Sequence, residues 1–292
     1  MPIPPSRQDQ DHQAQYGHHH PRHHHPEGHG FDGVLRRYQR GWLKRLGRSL
    51  LLLALIGASF VLVELLSLER MADGIPAIVK LVGEMLPPDF SRWPQWIQPM
   101  LDTVAMSVAG TAIAIILSLP LALLAARNTT PHPICFYLAR IGLNLTRAIP
   151  ELILGMILVA AVGFGKLPGT LALGLHSVGM VGKFFAETIE LSDAAPVEAA
   201  RSVGATESQV IVHSILPQIL PQLVDVTCYR WEYNFRASMV LGAVGAGGIG
   251  LEIISALRIL QYQQVSALLI VVLMMVTLVD SLSNYLRKDA VP

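Results

Sequence analysis

The residues of this 292-residue chain best placed to do chemistry are charged side chains set inside long apolar runs. The densest group is Tyr229-Arg230-Trp231-Glu232-Tyr233-Asn234-Phe235-Arg236. On a helix Glu232 and Arg236 share a face at i,i+4 spacing, and Arg230 shares another with Asn234. Forked guanidinium donors carrying a fixed positive charge suit a phosphate- or phosphonate-like anion better than an ammonium does. The two arginines lie about 120° apart on an ideal helix, so one helix cannot easily aim both at one small ligand. Two copies of one face could still meet across a symmetry axis. Arg236 has two readings: an anion contact, or a cation neutralised by Glu232 that only holds helices together.

A second apolar run carries His176, Lys183 and Glu187. Steps of seven and eleven residues place all three within about 20° of one line on a helix. Such a stripe belongs against protein or water, because charges facing lipid are costly. Lys183 and Glu187 can pair with each other, which leaves His176, deeper in the run, as the better pathway candidate. No span holds a nucleophile paired with a base, or a His-x-x-x-His ligand set. No catalytic residue, metal site or bound cofactor is therefore expected. Gly245-Ala246-Gly247-Gly248-Ile249-Gly250 satisfies G-x-G-x-x-G, but it follows a membrane run with no strand-turn-helix unit around it. It reads as a close helix approach or a sharp re-entrant bend. No G-x-x-x-x-G-K-[ST] loop occurs, so ATP and its Mg²⁺ belong on a separate subunit.

The elements that must position these groups follow from composition. With 52% hydrophobic and 15% charged residues the chain is a membrane protein, and a net charge of +1 excludes a strongly basic nucleic-acid binder. Cys135 and Cys228 suggest neither a disulfide framework nor a metal site. Residues 1–33, rich in His, Pro and Gln, read as a disordered tail, for which transition-metal binding and plain low complexity are both open. A basic amphipathic segment, 34–48, precedes the first apolar run, 49–68, and an outer amphipathic helix through Ile75, Ile78, Val79, Val82 and Leu86 completes the part up to 100. Trp93 and Trp96 suit a membrane interface. The core, 101–292, supplies five more spans: 101–126, 147–164 with Pro150 in its first turn, 170–187, 222–244 and 265–286. The stretch 134–145 reads as a surface or half-inserted helix. With both termini cytoplasmic, fourteen of the 22 Lys and Arg fall in inner segments and five in outer ones. The expected fold is an all-α polytopic membrane protein with six transmembrane helices.

Between the fourth and fifth spans lies 194–217, an amphiphilic segment with charges of its own. Glu198-Ala199-Ala200, then Gly204, then Leu216-Pro217 resembles the signature loop of permease subunits of ATP-binding-cassette (ABC) importers. Ser214 stands where that family usually has Ile. The chain further resembles the phosphonate importer permease family from about Pro87 to Arg287. The resemblance is carried by Pro87-Pro88-Asp89-Phe90-Ser91 with Trp93, Arg147-Ala148-Ile149 with Glu151, His176 with Lys183 and Glu187, Tyr229-Arg230 with Glu232, Asn234 and Arg236, the Gly245 to Gly250 run, and Gln261, Gln263 and Gln264.

The resemblance implies a type I importer fold in the bacterial inner membrane and a homodimeric permease. Two ATPase subunits would dock at Glu198, Ala199, Ala200, Gly204, Leu216 and Pro217. An external binding protein would deliver phosphonate, phosphite or phosphate along a path that includes Arg230, Arg236, Asn234, Glu232, His176 and Glu151. An importer for another solute, such as an amino acid, is the nearest alternative; a metal channel using the His-rich tail and a membrane enzyme are others.

Overall fold

The computed structural model describes residues 31–64 and 67–290, and every regular element within them is helical. The chain divides into two compact units at Ile75 and Pro76. In the first, α1 (Phe31–Leu62) runs from the basic segment into the first apolar run without a break. The span expected to reach 68 stops at Leu62, and Glu64 turns the chain with a φ of 55°. Of the tail expected over 1–33, positions 1–30 lie outside the described residues and the last three open α1. The outer amphipathic helix is α2 (Leu68–Glu84), with Ile78, Val79 and Val82 exposed.

The second unit is built on two parallel helices, α3 (Trp93–Ala125) and α6 (Lys166–Glu190). Lys166 Nζ meets Asp102 at 2.7 Å at one end, Ser118 Oγ donates to the Val178 carbonyl at 3.0 Å midway, and Arg127 N donates to Glu190 at 2.9 Å at the other. Around α6 pack α3, α4 (Pro133–Ala148), α5 (Glu151–Val162) and α9 (Leu216–Leu241). The last helix, α11 (Tyr262–Ala290), lies against α9 and α10 (Ile249–Arg258). Trp96, expected with Trp93 at an interface, is buried edge-on against Phe90 in the cluster that includes α11, whereas Trp93 is exposed.

Four stretches are long and apolar enough to cross a bilayer: Arg45–Leu62, Trp93–Ala125, Glu207–Ala246 and Tyr262–Lys288. Together α4 and α5 make a fifth if counted as one span, but they are bent by 84°. The single helix expected over 147–164 is therefore corrected to one interrupted at Ile149 and Pro150, and 134–145 lies within the helix before the break. Pro150 is the cause: it supplies no amide and holds Ile149 extended, at φ −93° and ψ 118°, so it caps α5 instead of sitting in its first turn. At 12 residues, or ~18 Å, α5 cannot cross ~30 Å of hydrocarbon alone. The expectation of six spans thus turns on α6. Its 25 residues are long enough, but its Gly, Ser, His and charged positions keep it out of the apolar count. It is wrapped in protein, with Ala172, Val181 and Ile189 fully buried, so it has little need of lipid-facing side chains.

The glycine run forms the expected bend. A π-helical turn, Gly242–Ala246, takes Gly245 to a φ of 97° and sends the chain back into α10. The return is so close that a Cβ on Gly250 would collide with the Met239 carbonyl. Gly250→Ala is expected to destabilise the protein by about 1–3 kcal/mol, since backbone cannot give way as a side chain can. A lowered thermal midpoint of the purified protein is the check.

Candidate functional site

Two regions hold the residues singled out above. The first is a polar relay at the heart of the second unit. Arg230 is 2% exposed, its Nε donates to Ser177 Oγ at 2.7 Å, and its guanidinium lies over the Tyr233 ring at 4.3 Å. Ser177 Oγ donates to Asn234 Oδ1 at 2.9 Å, and Asn234 Nδ2 donates to Thr111 Oγ1 at 2.9 Å. Thr111 Oγ1 donates in turn to the Ser107 carbonyl at 2.7 Å. The relay therefore joins α9, α6 and α3 through small hydroxyls and one amide. One terminal guanidinium nitrogen, Arg230 Nη2, is buried without a hydrogen-bond partner. A buried charged donor left unmatched is costly, which marks this atom as the open donor of the relay.

Beside it, the break between α4 and α5 brings Glu151 to His176. Glu151 Oε1 accepts from the Tyr233 hydroxyl at 2.7 Å, and Oε2 lies 3.0 Å from His176 Nε2. His176 Nδ1 is 3.0 Å from the Ile149 carbonyl, an oxygen that can only accept, so Nδ1 carries a proton. His176, left without a partner on its own helix, is thus held by a carboxylate from another. The stripe continues as expected to Lys183 and Glu187, which meet at 3.5 Å. It faces α4, where a Cβ on Gly179 would collide with the Leu143 carbonyl and with the Thr146 and Arg147 side chains.

Arg236 and Glu232 are not part of this cluster, and they do not pair with each other. Arg236 Nη2 donates to both carboxylate oxygens of Asp280, at 2.6 and 2.9 Å. Glu232 accepts from Arg287 Nη2 at 2.6 Å, and Arg287 also reaches Asp225 at 3.4 Å. These pairs strap α11 to α9. The readable signal was Asp280, a lone acid within the last apolar run. Ser177, Thr111 and Ser107 gave no such signal, since small hydroxyls in spans serve helix packing as readily. With both partners of the Arg236 pair half-exposed, a double-mutant cycle of Arg236→Ala and Asp280→Ala should give a coupling of only about 0.5–1 kcal/mol in unfolding of the purified complex.

The second region is the loop between α6 and α9. Asp193 caps α7 (Ala194–Ser202) by accepting from Ala195 N at 3.0 Å. None of α7 is buried, and Glu198 and Ala199 are exposed. Gly204 ends it in the left-handed region, at a φ of 84°. Thr206 and Gln209 form a reciprocal capping box on α8 (Glu207–Val210), which continues through a π-helical stretch, Ile211–Ile215, into α9. Ser214 is buried in that stretch beside Ile215, and Pro217 sits in the first turn of α9. Arg201 closes the loop with a fork on Glu207, at 3.1 and 2.9 Å, which holds the Glu207 carboxyl below its usual range. A lowered carboxylate value means the pair is intact above pH 4.5 and loosens only as pH falls through the folded-state value.

The family model described as "Binding-protein-dependent transport system inner membrane component" matches residues 118–290, which takes in the loop and all of the relay except Thr111 and Ser107. The chain belongs to this family. The phosphite transport system permease protein PtxC of Stutzerimonas stutzeri is 58% identical to the permease over 257 residues, covering 88% of this chain and 94% of that protein. The phosphate-import permease protein PhnE of Mycolicibacterium smegmatis is 42% identical over 216 residues, 74% of this chain and 41% of that one. Among solved structures, an inward-facing form of the MetNI methionine ABC transporter superimposes with a TM-score of 0.59 over 68% of this chain and 96% of that one, at 21% identity. An amino acid ABC transporter crystallised with histidines gives the same score over 70% of this chain and all of that one, at 17% identity. The fold is that of a type I ABC importer permease, and the chain is a transport subunit.

Proposed function

We propose that this permease moves phosphorus oxyanions, phosphite, phosphonate or phosphate, into the cytoplasm by alternating access. The observation that carries the reading is Arg230: a buried guanidinium with one fork arm unmatched and no carboxylate bonded to it, in the middle of the bundle. An oxyanion supplies the acceptor oxygens and the negative charge that this arm lacks. Relatives named for phosphite transport and phosphate import support the same class of cargo.

The chain would work as one of two copies, so that a pair of Arg230 side chains serves one path. Each copy would present α7 to an ATPase subunit holding ATP and Mg²⁺, and the excess of Lys and Arg at one side orients that loop, and both termini, to the cytoplasm. An exported binding protein would deliver the anion on the opposite side. Closure of the ATPases moves α7, and the cargo shifts the equilibrium only as far as its affinity for Arg230 differs between the two states. His176 and Glu151, bonded to each other, hold the helix break that shapes the path's wall.

The test is uptake by the permease reconstituted with its ATPase and binding protein, offered labelled phosphite, methylphosphonate and methionine in turn. ATP-driven accumulation of a phosphorus oxyanion and not of methionine is expected. Methionine uptake alone would favour an amino acid importer, and ion flux without the ATPase would favour a channel.

A further inference from the structure

A buried guanidinium near an acid of its own chain is expected to pair with it. Glu151 is close enough for its charge to act on Arg230. A forked pair between them would satisfy the open arm, and an incoming oxyanion would have to break it before binding. That pair does not form. Both Glu151 oxygens are taken by other groups: Oε1 accepts from the Tyr233 hydroxyl at 2.7 Å, and Oε2 lies 3.0 Å from His176 Nε2.

Tyr233 spans the two groups. Arg230 and Tyr233 stand three residues apart on α9, so they are neighbours on its surface, and the Tyr233 ring centroid lies 4.3 Å from Arg230 Cζ. The hydroxyl at the far end of that ring reaches Glu151, the first residue of α5. His176 holds the other carboxylate oxygen from α6 and is itself fixed on the Ile149 carbonyl at 3.0 Å. The guanidinium's own remaining links are its Nε bond to Ser177 at 2.7 Å and a long Nη1 contact with Met180 Sδ at 3.8 Å. Neither of these links offers the fork a counter-charge. What stands between the fork and a carboxylate is therefore one phenolic hydrogen bond.

We propose that Tyr233 is a positioning residue for the oxyanion: its hydroxyl occupies Glu151, so that this carboxylate does not compete with the cargo for Arg230. The proposal rests on Arg230 as the cargo contact and gives Tyr233 no contact with the cargo itself. It acts through Glu151, by holding an internal rival in place.

The purified complex of permease and ATPase, without binding protein, would be titrated with phosphite and binding followed by the phosphorus NMR signal. The unaltered protein would be compared with Tyr233→Phe, Glu151→Gln and the two changes together. Phe keeps the ring beneath the guanidinium and removes only the hydroxyl. Tyr233→Phe is expected to weaken phosphite binding about three- to tenfold, because the freed carboxylate takes the fork. In the Glu151→Gln background the same exchange should alter the dissociation constant by less than about twofold, since a neutral amide is a much weaker rival for a guanidinium. A purely structural tyrosine would give the same loss in both backgrounds. That result, or phosphite bound equally well by the unaltered protein and Tyr233→Phe, would overturn the proposal and leave Arg230 as the cargo contact. Phosphite that does not bind the unaltered complex at all would overturn the Arg230 reading and this proposal together.

Discussion

Arg230→Gln should lower ATP-driven uptake of phosphite by roughly ten- to a hundredfold while the permease still assembles with its ATPase. The size follows from a hydrogen bond to a charged group, worth about 1.5–3 kcal/mol, at a tenfold change per 1.4 kcal/mol. Gln retains a donor for Ser177 and removes the charge and the fork, so the relay to Asn234 and Thr111 keeps its connection. Arg230→Lys separates the two roles. A lysine keeps the charge but is a single point donor, and recovery of less than half the uptake would assign the remainder to the fork. If Arg230→Gln prevents assembly, or transports at the normal rate, the residue is a strut between helices and not a contact for the anion.

Gly204→Val should separate ATP hydrolysis from transport. The φ of 84° is one that an L-residue adopts at a cost of about 1–2 kcal/mol, and a β-branched one pays the most. A Cβ there would meet nothing within 4 Å, so any effect comes from backbone strain and not from a clash. Relieving that strain turns α7 relative to α8 and weakens the Arg201 fork on Glu207. Expected is a complex that still hydrolyses ATP but accumulates phosphite at less than a tenth of the normal rate. Gly204→Asn, which tolerates the left-handed region better, should fall between the two. Equal uptake in all three proteins would remove the loop from the coupling path.

Much of this architecture was legible because lipid makes hydropathy informative. The runs that became α3, α9 and α11 stand out by composition, and the helical pattern through Ile78 and Val82 foretold α2. What sequence misread has one cause in each case. Pro150 was taken for a helix starter when the residue it constrains, Ile149, ends the helix before it. The i,i+4 rule offered Glu232 as the partner of Arg236, because spacing within one helix says nothing of an acid on the next. Asp280 on α11 captures the guanidinium with both oxygens, and Arg287 takes Glu232. The candidate path residues divide accordingly: Arg230, Asn234, His176 and Glu151 gather in one place, while Arg236 and Glu232 hold the last helix.

The π-helical stretch Ile211–Ile215 leaves the backbone between the exposed α7 and the buried Arg230 wound more loosely than an α-helix. A rod with one slack coil does not simply slide when its end is pushed; it can tighten and spin. Thrust arriving at Glu198 would then reach Arg230 partly as torque, sweeping the guanidinium around the helix axis instead of along it. Its unmatched arm would meet different neighbours in the two states of the cycle.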